Sequence, residues 1–111
     1  MAAAPFAFGH AGRVLTSTHQ NEVFVCDADD EAPLFIHAMG STVIGVRNVA
    51  GAVLAIDDNG ELVCLNARTG AVNWTVSNGL RPVALAARDD GRWAVIHERG
   101  AILGREDKAD G

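Results

Sequence analysis

The chain has 111 residues, 49% of them hydrophobic and 21% charged, with a formal net charge of -5. That is enough chain for one domain with a packed core, and the acidic balance with scattered arginines excludes a basic footprint for nucleic acid or an anionic membrane. No apolar run approaches the roughly 18 residues of a membrane span, and Met1 to Pro5 lacks the positive start and long apolar core of a secretory signal, so a cytoplasmic location is the default expectation.

The chain reads as short strands separated by turn clusters. An Ala-rich lead gives way to Pro5-Phe6-Ala7-Phe8, which reads as a strand, with Gly9-His10 as the turn after it. Arg13 to Thr18 and Glu22 to Cys26 follow as two strands around the turn His19-Gln20-Asn21, and Leu34 to Ala38 is a fourth, introduced by Pro33, which is tolerated at a strand start. Thr42 to Val46 opens the next group. Val53 to Ile56 and Leu62 to Leu65 then flank Asp57-Asp58-Asn59-Gly60, whose Asn-Gly supplies the positive-φ residues of a tight hairpin. After the turn cluster Asn66 to Gly70 comes a strand from Ala71 to Val76. A last group runs through Val83 to Ala87, Trp93 to Ile96 and Ala101 to Gly104. These runs are too short for helices and rich in β-branched residues.

The groups repeat. Adding 39 to Val14-Leu15, Glu22, Ala28 and Phe35 gives Val53-Leu54, Glu61, Ala67 and Trp74; adding 40 to Val43, Gly51, Gly60 and Leu62 gives Val83, Gly91, Gly100 and Ile102. A period of about 40 residues with four short strands per unit is the signature of a β-propeller blade. Runs that are apolar at consecutive positions fit sheets covered on both faces by neighbouring blades. The expected architecture is all-β: blade one over residues 4–39, blade two over 40–79 and blade three over 80–104 without its outer strand, then a charged tail over 105–111.

Within Leu65 to Trp74, the order Ala67, Thr69-Gly70 and then Trp74 resembles the tryptophan-docking repeat of propellers related to the pyrroloquinoline-quinone dehydrogenases. The resemblance implies that Trp74 packs between adjacent blades and that Thr69 and Gly70 receive a neighbour. Blade one has Asp29-Asp30-Glu31 and Phe35 at the matching places. A WD-repeat propeller ranks second, because Gly9-His10 falls after the first strand and no Trp-Asp pair occurs.

No catalytic constellation is legible. His10, His19, His37 and His97 show no metal-ligand spacing, and Asp57 to Glu61 lacks the alternating ligands of a calcium loop. Neither a nucleophile elbow nor a phosphate loop is present. The resemblance carries a fold rather than a quinone-dependent reaction, so no catalytic, cofactor-binding or metal-binding residue is assigned. Cys26 and Cys64 are expected as free thiols on opposite sheet faces.

Three blades leave two apolar faces uncovered, and propellers close with about four to eight blades. The expectation is a non-enzymatic scaffold that closes as a homodimer into a six-bladed ring. Phe6, Phe8, Trp93 and Ile102 are its interface residues, and its loops or channel are offered to a protein partner. The alternatives are a ligand-sensing or enzymatic module whose site forms only in the assembled channel, and a subunit completed by a different propeller-containing partner.

Overall fold

The computed structural model describes residues 9–11, 14–27, 33–49, 51–77, 79–88 and 90–105. They form eleven strands: β1 Gly9–Ala11, β2 Val14–His19, β3 Glu22–Asp27, β4 Pro33–Ala38, β5 Val43–Val49, β6 Ala52–Asp57, β7 Glu61–Asn66, β8 Val72–Ser77, β9 Pro82–Ala87, β10 Arg92–His97 and β11 Gly100–Arg105. Every pairing is antiparallel between chain neighbours, giving sheets β1-β2-β3-β4, β5-β6-β7-β8 and β9-β10-β11. These are the three blades. The strand expected at Pro5 to Phe8 lies outside the described residues, whereas Gly9-His10, expected as a turn, belongs to β1 and pairs with Thr16 and Leu15.

The core sits in two seams. One joins blades one and two through Val23, Val25, Val43, Val46, Val53, Ala55, Val63 and Leu65, with Phe35 packed against it. The other joins blades two and three through Leu54, Ile56, Leu62, Cys64, Leu85, Trp93 and Val95. Blade two is covered on both sides, so all six residues of β6 are buried, as its consecutive apolar run requires. In blade three, β10 alternates between buried and more exposed positions because only one of its faces has a neighbour.

The repeat register differs from the arithmetic above at one hairpin. Blade two spends three residues between β6 and β7, whereas Gln20-Asn21 and Glu98-Arg99 turn in two. From β6 to β10 the offset is therefore 40, but from β7 to β11 it is 39. Ile102 consequently corresponds to Val63, not to Leu62, and a one-residue slip moves a side chain to the opposite face.

Candidate interaction surfaces

The seam between blades one and two is locked where the β7–β8 turn meets blade one. Asn66 shapes that turn: its Oδ1 accepts from the backbone N–H groups of Arg68 at 2.8 Å and Thr69 at 3.1 Å. Its own carbonyl accepts from Gly70 N–H at 2.9 Å. Thr69 Oγ1 accepts from Ala71 N–H at 3.2 Å. Gly70 thereby adopts φ of +79°, and a Cβ there would stand 2.8 Å from Cγ of Phe35. Phe35 occupies the blade-one position that corresponds to Trp74. The spacing singles out Thr69 and Gly70, and Asn66, legible in the sequence as the residue that opens the turn cluster, is the side chain that builds their conformation.

Trp74 reaches the other seam. Its ring lies 5.7 Å from that of Trp93 at 30°, within the range where aromatic pairs attract. Trp93 is 3% exposed, and its ring covers Gly104, where a Cβ would be 2.2 Å from Cζ2. At the matching place in blade two, Val53 faces Leu65. A larger residue on β10 is thus offset by the loss of a side chain on β11. Trp93 Nε1 is buried without a hydrogen-bond partner among the described residues.

This placement corrects two of the expected interface residues. Trp93 and Ile102 face blade two, Trp93 within the seam and Ile102 packed against it, so neither lies on the free face of blade three. That face is made by the alternate residues, where Ala94 pairs with Leu103, Ile96 with Ala101 and Arg92 with Arg105. Ile96 is 41% and Leu103 63% exposed. Phe6 and Phe8 lie outside the described residues. On the free face of blade one, Phe24 pairs with Ile36, which is 51% exposed, with Leu34 beside it.

Charge is grouped at one end of blade three. Asp90 lies 3.3 Å from Arg92 Nε and 3.9 Å from Arg88 Nε, and its Oδ1 accepts from the backbone N–H of Arg92 at 3.1 Å. That hydrogen bond, with the charges of Arg92, Arg88 and Arg105, holds the Asp90 carboxyl below the usual carboxylate range. At the opposite end of the blade, Leu80 to Val83 and His97 to Arg99 line an open groove of about 320 Å3. There His97 Nδ1 accepts from the Arg99 N–H at 3.2 Å.

In blade two the corresponding hairpin is pinned by Asp57, which is 1% exposed. Its Oδ1 accepts from the N–H groups of Asn59 and Glu61, each at 3.0 Å, and Ser41 Oγ donates to Asp58. Neither Cys26 nor Cys64 is in a disulfide. Cys64 faces blade three, whereas Cys26 follows Val25, which faces blade two, and so turns to the free side. Among the described residues no three His, Cys, Asp or Glu side chains converge as a metal site, and no helix is long and apolar enough to cross a membrane.

The geometry of three successive antiparallel sheets joined by apolar seams has clear counterparts among solved structures. The computationally designed Ika4 protein superposes with a TM-score of 0.85 at 15% identity, over 99% of this chain and 71% of Ika4. The C-terminal WD40 domain of Sif2 gives 0.76 at 16% identity, covering 93% of this chain and 31% of that one. The chain is a partial β-propeller. Saccharomyces cerevisiae Sqt1 also gives 0.76, at 12% identity, over 88% of this chain and 30% of Sqt1. The propeller thus spans about a third of the length of Sqt1 and Sif2. No family model and no curated protein matches the sequence.

Proposed function

We propose that this partial propeller is a non-enzymatic oligomeric scaffold for protein–protein interaction in the cytoplasm. Two copies close a six-bladed ring whose loops or channel receive a protein partner. The observation that carries this reading is the contrast between β6 and β7 of blade two, buried almost throughout, and the end blades, which leave Ile36, Ile96 and Leu103 at 41–63% exposure. Apolar sheet faces of this kind mark interaction sites. Two copies supply a blade number within the range of about four to eight in which propellers close, and three copies exceed it. The packing of Phe35 on Gly70 supports kinship with the tryptophan-docking propellers, and the likeness to the WD40 domain of Sif2 supports the WD-repeat alternative.

The test is the solution mass by light scattering coupled to size exclusion over a concentration series. Twice the 11.6 kDa of one chain is expected; a single-chain mass at every concentration overturns the ring.

A further inference from the structure

Blade three departs from blade two where the linker that enters it meets the β10–β11 hairpin. Strand pairing aligns the two places. Val43 pairs with Asp57 in blade two and Pro82 with His97 in blade three, each followed by a bulged residue, Ile44 or Val83. Leu80 and Arg81 therefore stand where blade two has Ser41 and Thr42, and Glu98 stands where it has Asp58.

In blade two this place is closed. Ser41 Oγ donates to Asp58, the Asp58 N–H donates to Thr42 O at 2.9 Å, and the Val43 N–H donates to Gln20 O of the preceding blade at 2.8 Å. The leucine side chain at 80 has no hydroxyl to donate, and Pro82 has no N–H to take the part of Val43. No hydrogen bond joins Arg81 to Glu98 among the described residues. The gap left between linker and hairpin is the groove of about 320 Å3, at the lower end of the roughly 300–1,000 Å3 of ligand sites.

The side chains around this gap are cationic and apolar. Arg81 and Arg99 line it and are exposed, and neither guanidinium has a hydrogen bond or ion pair among the described residues. His97 Nδ1 accepts from the Arg99 N–H at 3.2 Å, which holds the backbone that carries one of them. Leu80 is 39% exposed beside them. Val83 borders the groove on the side of the next blade, at the place where Ile44 packs into the seam with blade three, so Leu80 is the apolar contact that a closed ring leaves to a ligand. Guanidinium groups pair with carboxylates bidentately. The single carboxylate of the lining, Glu98, can accept a backbone N–H but repels a phosphate dianion. Together these groups fit a peptide better than a nucleotide.

We infer that the groove of blade three binds an acidic and apolar segment of a partner protein, with Arg81 and Arg99 pairing with its carboxylates while Leu80 covers an apolar side chain between them. This rests on the reading of the chain as a scaffold whose loops receive a protein partner, and it names the chemistry of that partner. The site is complete within one chain, so each copy in a ring carries one.

The experiment follows binding of a fluorescein-labelled peptide of alternating aspartate and leucine to the full chain by anisotropy. A labelled peptide of alternating asparagine and leucine, a labelled oligothymidylate, and inorganic phosphate as competitor are the comparisons. Arg81→Gln with Arg99→Gln is expected to weaken the aspartate peptide tenfold or more, and Leu80→Asn to weaken it severalfold. Arg88→Gln with Arg92→Gln removes the same charge from the opposite end of the blade and is expected to change binding less than twofold. Tryptophan emission checks that each variant is folded. No binding of the aspartate peptide at millimolar concentration, equal binding of the asparagine peptide, or equal loss in the two double variants overturns the site. Oligothymidylate bound more tightly than the peptide, or phosphate displacing it at equal concentration, overturns the peptide assignment. Light scattering on the same samples separates the two readings: an intact dimer that binds no peptide overturns the groove alone, and a monomer that binds it overturns the ring alone.

Discussion

Phe35 of blade one lies directly over Gly70 of blade two, so close that a Cβ at position 70 would be 2.8 Å from its ring. The glycine is required twice over, by this contact and by its φ of +79°. Gly70→Ala is expected to cost about 1–3 kcal/mol, since a non-glycine residue in the left-handed region and an overpacked contact are each destabilising. Urea unfolding measures it. In a Phe35→Leu background the clash is partly relieved, so the two changes together are expected to cost less than their sum.

Trp93 and Gly104 form a second large-to-small pair. With a Cβ at 104 only 2.2 Å from the indole, Gly104→Val is expected to displace the ring, red-shift its emission and lower the melting temperature. Unchanged emission and melting would remove Gly104 as the floor of the indole.

Trp74→Ala removes the partner of Trp93 across the same seam. Loss of a large aromatic contact that is partly buried is expected to cost on the order of 2–3 kcal/mol. The exciton feature of the tryptophan pair in the circular dichroism spectrum should vanish with it.

Asp57 holds the long hairpin of blade two through two backbone N–H groups. Asp57→Ala leaves those donors without their acceptor and is expected to cost about 1–3 kcal/mol, whereas Asp57→Asn keeps an acceptor oxygen and is expected to cost less. Chemical denaturation of the two variants separates hydrogen bonding from charge.

Asp90 makes a pH prediction. Its folded-state pKa lies below the ordinary value of 3.8, so the folded state favours the ionised carboxylate. Its contribution is full above that value and is lost as pH falls through the lower folded pKa. Asp90→Asn is expected to flatten this part of the stability curve below about pH 4 and leave neutral pH little changed, because the group is exposed and solvent-screened. Melting profiles of both proteins between pH 2 and pH 7 decide the matter.

Much of the fold was legible because its determinants are local. Asn-Gly and Asp-Gly clusters end strands through their φ preferences, and Val, Ile and Leu runs of about six residues can neither make a stable helix nor remain exposed. Strands from Val14 onward and the division into three blades follow from those signals. The first strand did not, because Gly9-His10-Ala11 has the composition of a turn and is a strand only through pairing with Val14, Leu15 and Thr16. The site was less legible. Thr69, Gly70 and Trp74 stand out by spacing, but nothing local links Phe35 to Gly70, which lie on different blades.

The sequence by itself therefore determined the all-β class and the grouping of the strands into successive antiparallel sheets, since hydrophobic runs and turn chemistry act within a few residues. The tertiary structure decided which face each side chain serves. Ile102 and Trp93 are apolar whichever way they point; one residue fewer in the hairpin at Glu98-Arg99 than at Asp58-Asn59-Gly60 puts Ile102 in phase with Val95 and Trp93. Strand alternation has a period of two, so the parity of a turn, summed along the blade and fixed by packing against blade two, sets what is left free for a partner.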